Sequence, residues 1–195
     1  MGVHHALMSP PSVKAASTAM SNAQAAIKDA ASMTNAQAAQ VTRALDSPDR
    51  ATALPSELQA FTKNTEHLTA LRNDLCRDRD AYQAAADAKI ASFDHEAGNV
   101  ADDRSGRALQ RLRRRTEQDI QERLANAQSV IDELDAVLAK GSDLQHTANA
   151  VLIADDLRSH GEELDHQLAT ARRDAAQYAA TTNALLARIT TALAE

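Results

Sequence analysis

Glu163-Leu164-Asp165-His166 is the arrangement in this chain closest to a metal-binding motif, with His160 and Glu162 beside it. A Glu-x-x-His pair sets a carboxylate and an imidazole on one face of a helix. Helical di-iron centres use this pair, but they need it twice, with two further glutamates from other helices. Elsewhere in the chain glutamate and histidine meet only as direct neighbours, at Glu66-His67 and His95-Glu96. Glu163 and His166 also flank Leu164 of an apolar seam without lying in it. They read as a solvated polar face, and neither a metal ion nor another cofactor is expected.

Arg104, Arg107, Arg111, Arg113, Arg114 and Arg115 make the densest basic run. A phosphate or nucleic-acid patch is the functional reading of such a cluster. Glu117, Asp119 and Glu122 follow at once, however, and no aromatic residue is interleaved to stack on bases. An ion-paired, solvated face is the expectation, and an acidic partner or a lipid-headgroup surface is the functional alternative. The stretch Asp74 to Asp80 lacks the glycine and terminal glutamate of a calcium loop. Cys76 is the single cysteine, so no internal disulfide forms. Placed beside Leu75 of a seam, it reads as a buried or half-buried inert thiol rather than a nucleophile. With no Gly-rich phosphate loop, Cys-x-x-Cys or Gly-x-Ser-x-Gly, no residue is assigned a catalytic, cofactor or metal role, and the chain is expected not to be an enzyme.

The elements that carry these residues are helices. Of 195 residues, 43 are alanine; aromatics are 2%, tryptophan is absent, and there are 5 glycines and 4 prolines. Sheets need β-branched and aromatic strands with frequent turn residues. Alanine with Leu, Arg, Gln, Glu and Asp is the composition of long helices. Breakers fall at Pro10-Pro11, at Asp46 to Asp49, at Leu54-Pro55-Ser56, from Gly98 to Gly106 and at Gly141-Ser142. They predict a flexible tail over 1–11 and one helical domain over 12–195, with helices at about 12–46, 56–100, 105–140 and 143–194. Ser159-His160-Gly161-Glu162 reads as a capping box that would break the last of these.

Every segment repeats at helical spacing. Val13, Met20, Ile27, Thr34 and Val41 are seven apart, with Ala16, Ala23, Ala30, Gln37 and Ala44 three residues on. Leu54, Phe61, Leu68, Leu75 and Tyr82 repeat likewise and continue through Ala86, Ile90, Phe93, Ala97 and Val100. The third seam runs Leu109, Leu112, Thr116, Ile120, Leu124, Ala127, Ile131, Leu134, Leu138. The fourth holds Leu157, Leu164, Ala171, Tyr178 and Leu185, with Gly161, Leu168, Ala175, Thr182 and Ile189 between. Seams this narrow are buried only against other helices, and short connections favour antiparallel neighbours. The expected fold is all-α, an elongated antiparallel four-helix bundle or coiled coil. The alanine-rich first helix buries the least area per residue and is expected to dock most weakly. Residues 104–140 carry eight basic and six acidic side chains, whereas 61–103 carry five and nine and 141–195 carry four and eight. That alternation predicts ion pairs flanking a basic third helix.

Leu144-Gln145-His146-Thr147-Ala148-Asn149-Ala150, followed by Ile153, resembles the Leu-Lys-His-Asn-Leu-Asn-Ala…Ile signature of an uncharacterised bacterial family of all-helical, often envelope-associated proteins. Gln145, Thr147 and Ala148 stand where that signature has Lys, Asn and Leu. Ala136-Val137-Leu138 and Gly2-Val3-His4 resemble two further segments of the same family. The resemblance implies an elongated helical bundle, brings no catalytic residues with it, and makes envelope association an expectation.

The net charge of −6 and pI near 5.6 argue against non-specific nucleic-acid binding by the whole chain. The longest apolar run, Ala150 to Ala154, is far short of the ~20 residues that cross a bilayer. The N-terminal stretch has neither the basic nor the apolar region of a secretory signal, and Ala6 stands where a myristoylation signal has Ser or Thr, so the default compartment is the cytoplasm. The function read from all of this is a helical interaction or scaffold protein, binding a protein partner or itself through its seams. A phasin- or apolipoprotein-like protein that opens on a lipid or polymer surface is the alternative.

Overall fold

The computed structural model describes residues 12–99, 103–156 and 161–194. They form four helices, α1 (Val13–Asp46), α2 (Arg50–Asn99), α3 (Asp103–Asp156) and α4 (Gly161–Ala192), with no strand among the described residues. The tail expected over 1–11 lies outside them. Consecutive helices run antiparallel and α4 returns against α1, which closes a four-helix bundle.

Local chemistry sets the first helix ends. Ser12 caps α1 by accepting the Ala15 N–H at 3.2 Å. Ser47 closes it by donating its N–H to the Ala44 carbonyl, and Pro48 cannot extend the ladder. Asp49 then starts α2, its carbonyl accepting from Thr52 and Ala53. The turn is therefore shorter than the expected stretch ending at Pro55, and α2 begins at residue 50 rather than 56. Pro55 is tolerated on the exposed side of the second turn, between the buried Leu54 and Leu58.

The third connection also differs from expectation. Gly141 does not end a helix: α3 runs through it to Asp156, so residues 143–156 belong to α3 and the last helix starts at Gly161. A Cβ at Gly141 would stand 3.3 Å from Thr65 Cγ2 and 3.4 Å from Tyr178 Cε2. The glycine serves close helix approach at this point rather than termination. Of the Ser159-to-Glu162 capping box, Ser159 and His160 lie outside the described residues.

The core follows the seams. Leu54, Phe61, Leu68, Leu75 and Tyr82 are all buried, as are Ala171, Tyr178, Leu185 and Ile189 of α4. On α1 a further row is buried as well, Gln24, Ala31, Ala38 and Leu45, because that helix faces both α2 and α4. Leu112 is the exception on α3, 51% exposed where the seam placed it inside. The cross-helix ion pairs also reverse the expected pattern. Arg72 of α2 holds Asp135 of α3 through two bonds of 2.9 Å, and Arg188 of α4 holds Glu133 of α3 at 2.9 Å. Acidic groups of α3 thus accept from its neighbours, while α3 arginines reach out from Arg113 to Asp94 at 2.7 Å and from Arg123 to the Ser17 hydroxyl of α1 at 3.3 Å.

Helix lengths make the bundle stepped. α2 and α3 have 50 and 54 residues, α1 and α4 only 34 and 32. At 1.5 Å per residue α3 alone is ~80 Å long. α1 starts beside Ala85, Ala88 and Thr116, and α4 ends beside Met20 and Asn126. Beyond those points the α2–α3 hairpin continues as a two-helix arm.

Candidate functional site

The residues singled out for metal chemistry stay apart. Glu163 and His166 are exposed on α4, and among the described residues Glu163 accepts from Gln167 of its own helix, at 2.8 Å. Among the described residues no three His, Cys, Asp or Glu side chains converge on a point that could hold a metal ion. Cys76 is half-buried on α2, packed against the core. The Leu144-to-Ala150 stretch lies inside α3 with Leu144 and Ala148 in the core, and Gln145 donates to the Thr65 hydroxyl at 3.0 Å.

Sequence reasoning did not single out the polar layer at mid-bundle. Tyr178 is fully buried, its ring edge-on to Phe61 at 5.1 Å between centroids. Thr34 and Thr182 spend their hydroxyl protons on carbonyls of their own helices, and the Tyr178 hydroxyl has no hydrogen-bond partner among the described residues. Burial pushes that hydroxyl up to about 12, and the two nearby threonine hydroxyls, close but out of bonding geometry, only partly oppose the shift. The layer is sealed from solvent, which makes it a packing feature rather than a site for a substrate. The signal was present in the sequence as Thr34 and Thr182 at seam positions, where a threonine hydroxyl must find a backbone carbonyl.

Two groups of exposed charge lie at the two ends. On the arm, Phe93 is buried beneath Lys89, whose Nζ stands 4.7 Å from the ring centroid, and Arg113 joins Asp94 and Glu117. The Asp94 carboxylate holds the Arg113 guanidinium above its usual range. Arg113 is thus tied to α2, while Arg107, Arg111, Arg114 and Arg115 are exposed and make no hydrogen bond or ion pair among the described residues. At 100° per residue these four lie within an arc of about 100° on the side of α3 away from Arg113. Leu112 lies about 60° outside that arc, between Arg115 and Arg113 around the helix. The run therefore divides into an ion-paired inner member and a solvated outer stripe.

At the opposite end, where α1 meets α2 and α3 meets α4, Ala51, Pro55 and Leu152 line a hollow of about 420 Å³ with Asp155 and Asp156 on its rim. Arg50 neutralises Asp155 at 3.6 Å; Asp156 is exposed and unpaired among the described residues. Glu162 and Glu163 stand in the first turn of α4, where the helix N-terminus favours negative charge.

No protein-family model, curated protein or solved structure matches this chain. Among the described residues no helix is long and apolar enough to cross a membrane.

Proposed function

We propose that this chain acts by interaction, as a non-enzymatic helical scaffold, presenting surfaces from a rigid bundle rather than enclosing a reaction site. The observation that carries this reading is the arm: a two-helix extension bearing a stripe of arginines unpaired among the described residues and an exposed leucine, beyond the four-helix core. Charged groups kept solvated and aromatic groups kept sealed suit recognition by a partner surface. The same reading accommodates association with an envelope surface through peripheral contact.

One observation favours the second reading, a chain that opens on lipid or polymer. Leu112 beside arginines is the pairing found on interfacial helices. Against it, the apolar seams are satisfied inside the bundle, and the two phenylalanines are both buried. Co-sedimentation with anionic vesicles, followed by circular dichroism and protease mapping, separates the two. A scaffold keeps its protease pattern whether or not it pellets. If vesicles expose the α1–α4 interface to cleavage, the bundle opens on the surface and the scaffold reading is lost.

A further inference from the structure

The two ends of this rod carry opposite charge, and each also carries exposed apolar side chains. The arm has Arg107, Arg111, Arg114 and Arg115 with Leu112; the closed end has Asp156 on the rim of a hollow floored by Ala51, Pro55 and Leu152, and Glu162 and Glu163 in the first turn of α4. Ile153 beside that hollow is 61% exposed. Within each end the like charges repel, and neither set finds a counter-ion among its described neighbours. Leu112 and Asp156 stand on the same helix, ~65 Å apart along its axis, so one molecule cannot bring the two ends together. Pairing one end with the other therefore takes a second molecule.

We infer that the chain associates head to tail with further copies of itself. Leu112 of one copy sits in the Ala51–Pro55–Leu152 hollow of the next, and the arginine stripe faces Asp156, Glu162 and Glu163. This inference rests on the interaction reading and names the partner. The contact is heterologous: each docked copy leaves one arm and one closed end free, so association continues into linear chains instead of stopping at a dimer. Exposed ion pairs contribute little one at a time and are screened by salt. The assembly is therefore concentration-dependent and salt-sensitive, with the buried leucine fixing the register.

Sedimentation equilibrium on the full chain tests it, using two charge-reversed variants. One carries Arg107→Glu, Arg111→Glu and Arg115→Glu, the other Asp156→Lys, Glu162→Lys and Glu163→Lys. All six positions are exposed, and circular dichroism confirms that each variant remains helical. The wild type is expected to gain average mass with concentration at low salt and to return to monomer mass in ~1 M salt, where screening acts over ~3 Å. Each variant alone should associate at least ~10-fold more weakly, because its two ends then carry the same sign. An equimolar mixture of the two should regain association, since the acidic arm of one matches the basic closed end of the other. A wild type that stays monomeric at low salt overturns the inference, and so does a helical mixture that fails to associate. If the wild type is monomeric but binds phosphatidylglycerol vesicles through the arginine stripe, head-to-tail assembly is overturned while an interaction function stands.

Discussion

Gly141 and Tyr178 meet across the middle of the bundle, and each makes a residue-scale prediction. Alanine is more favourable than glycine inside a helix by ~1 kcal/mol. A Cβ at 141 would, however, press on Thr65 and Tyr178 at 3.3 and 3.4 Å, so both neighbours would have to yield slightly. Gly141→Ala is expected to leave urea stability within ~1 kcal/mol of wild type, the two effects offsetting. Gly141→Leu adds volume with nowhere to go and is expected to cost ~1–3 kcal/mol. A leucine tolerated at no cost would show that the close approach does not constrain the fold. Tyr178 makes a pH prediction. Its hydroxyl ionises near 12 in the fold, against ~10 in an unfolded chain. The unfolded state therefore loses its proton first as pH rises. The associated stability is complete below pH 10 and is lost between pH 10 and 12, on the order of 2–3 kcal/mol. Tyr178→Phe removes an unpartnered buried hydroxyl, so it should be at least as stable as wild type at pH 7 and should lose less between pH 10 and 12. Parallel alkaline denaturation of the two proteins measures the difference, and identical curves would refute the assignment.

The helices differ in how firmly they are held. Phe61 is part of the continuous core cluster; Phe93, though buried, lies on the arm outside it. Phe61→Ala is expected to cost ~3–5 kcal/mol of global stability. Phe93→Ala should instead speed amide exchange over 90–99 and 103–115 while leaving protection in the four-helix part unchanged, because local opening draws on local contacts. Global loss of protection in the Phe93 variant would mean that the arm and the bundle fold as one unit. The first helix is better anchored than its alanine content suggests. Eleven of its residues are buried, Ile27, Val41 and Leu45 fully, and it touches two neighbours. At this scale much was legible: the seams of α2 and α4 were readable because a seven-residue repeat of large apolar residues has one physical use. The α1 row of Gln24, Ala31, Ala38 and Leu45 was not, since an alanine fits a buried or an exposed position equally well. The continuation of α3 was readable in part. Leu134, Val137, Gly141, Leu144, Ala148 and Val151 keep the three–four spacing straight through the glycine, and the glycine's preference for helix ends masked it.

The whole molecule is a stepped rod whose length is that of α3. A compact domain of this chain length would have a radius of gyration of ~16 Å. With an ~80 Å helix as its axis, the monomer in high salt is expected to exceed ~20 Å, with a maximum dimension of at least ~80 Å by small-angle scattering. A value near that of a compact domain would mean that α3 is broken or that the arm folds back. Lowering the salt should lengthen the particle without thickening it if copies join end to end.

Helical class, seam positions and the arginine run were settled by the sequence alone, because each depends on residues within a turn or two of one another. Leu112 and Pro55 illustrate what only the tertiary structure decided. Leu112 keeps its place in the repeat, but on the arm α3 packs on α2 alone among the described residues, and the side of α3 that bears Leu112 stays in water. Pro55 carries the chemistry of a helix breaker, but Leu54 and Leu58 on either side are buried, and the helix continues around it. The opposite charge of the two ends arises in the same way. It depends on which helix termini lie side by side, and that is set by contacts between residues far apart in the chain.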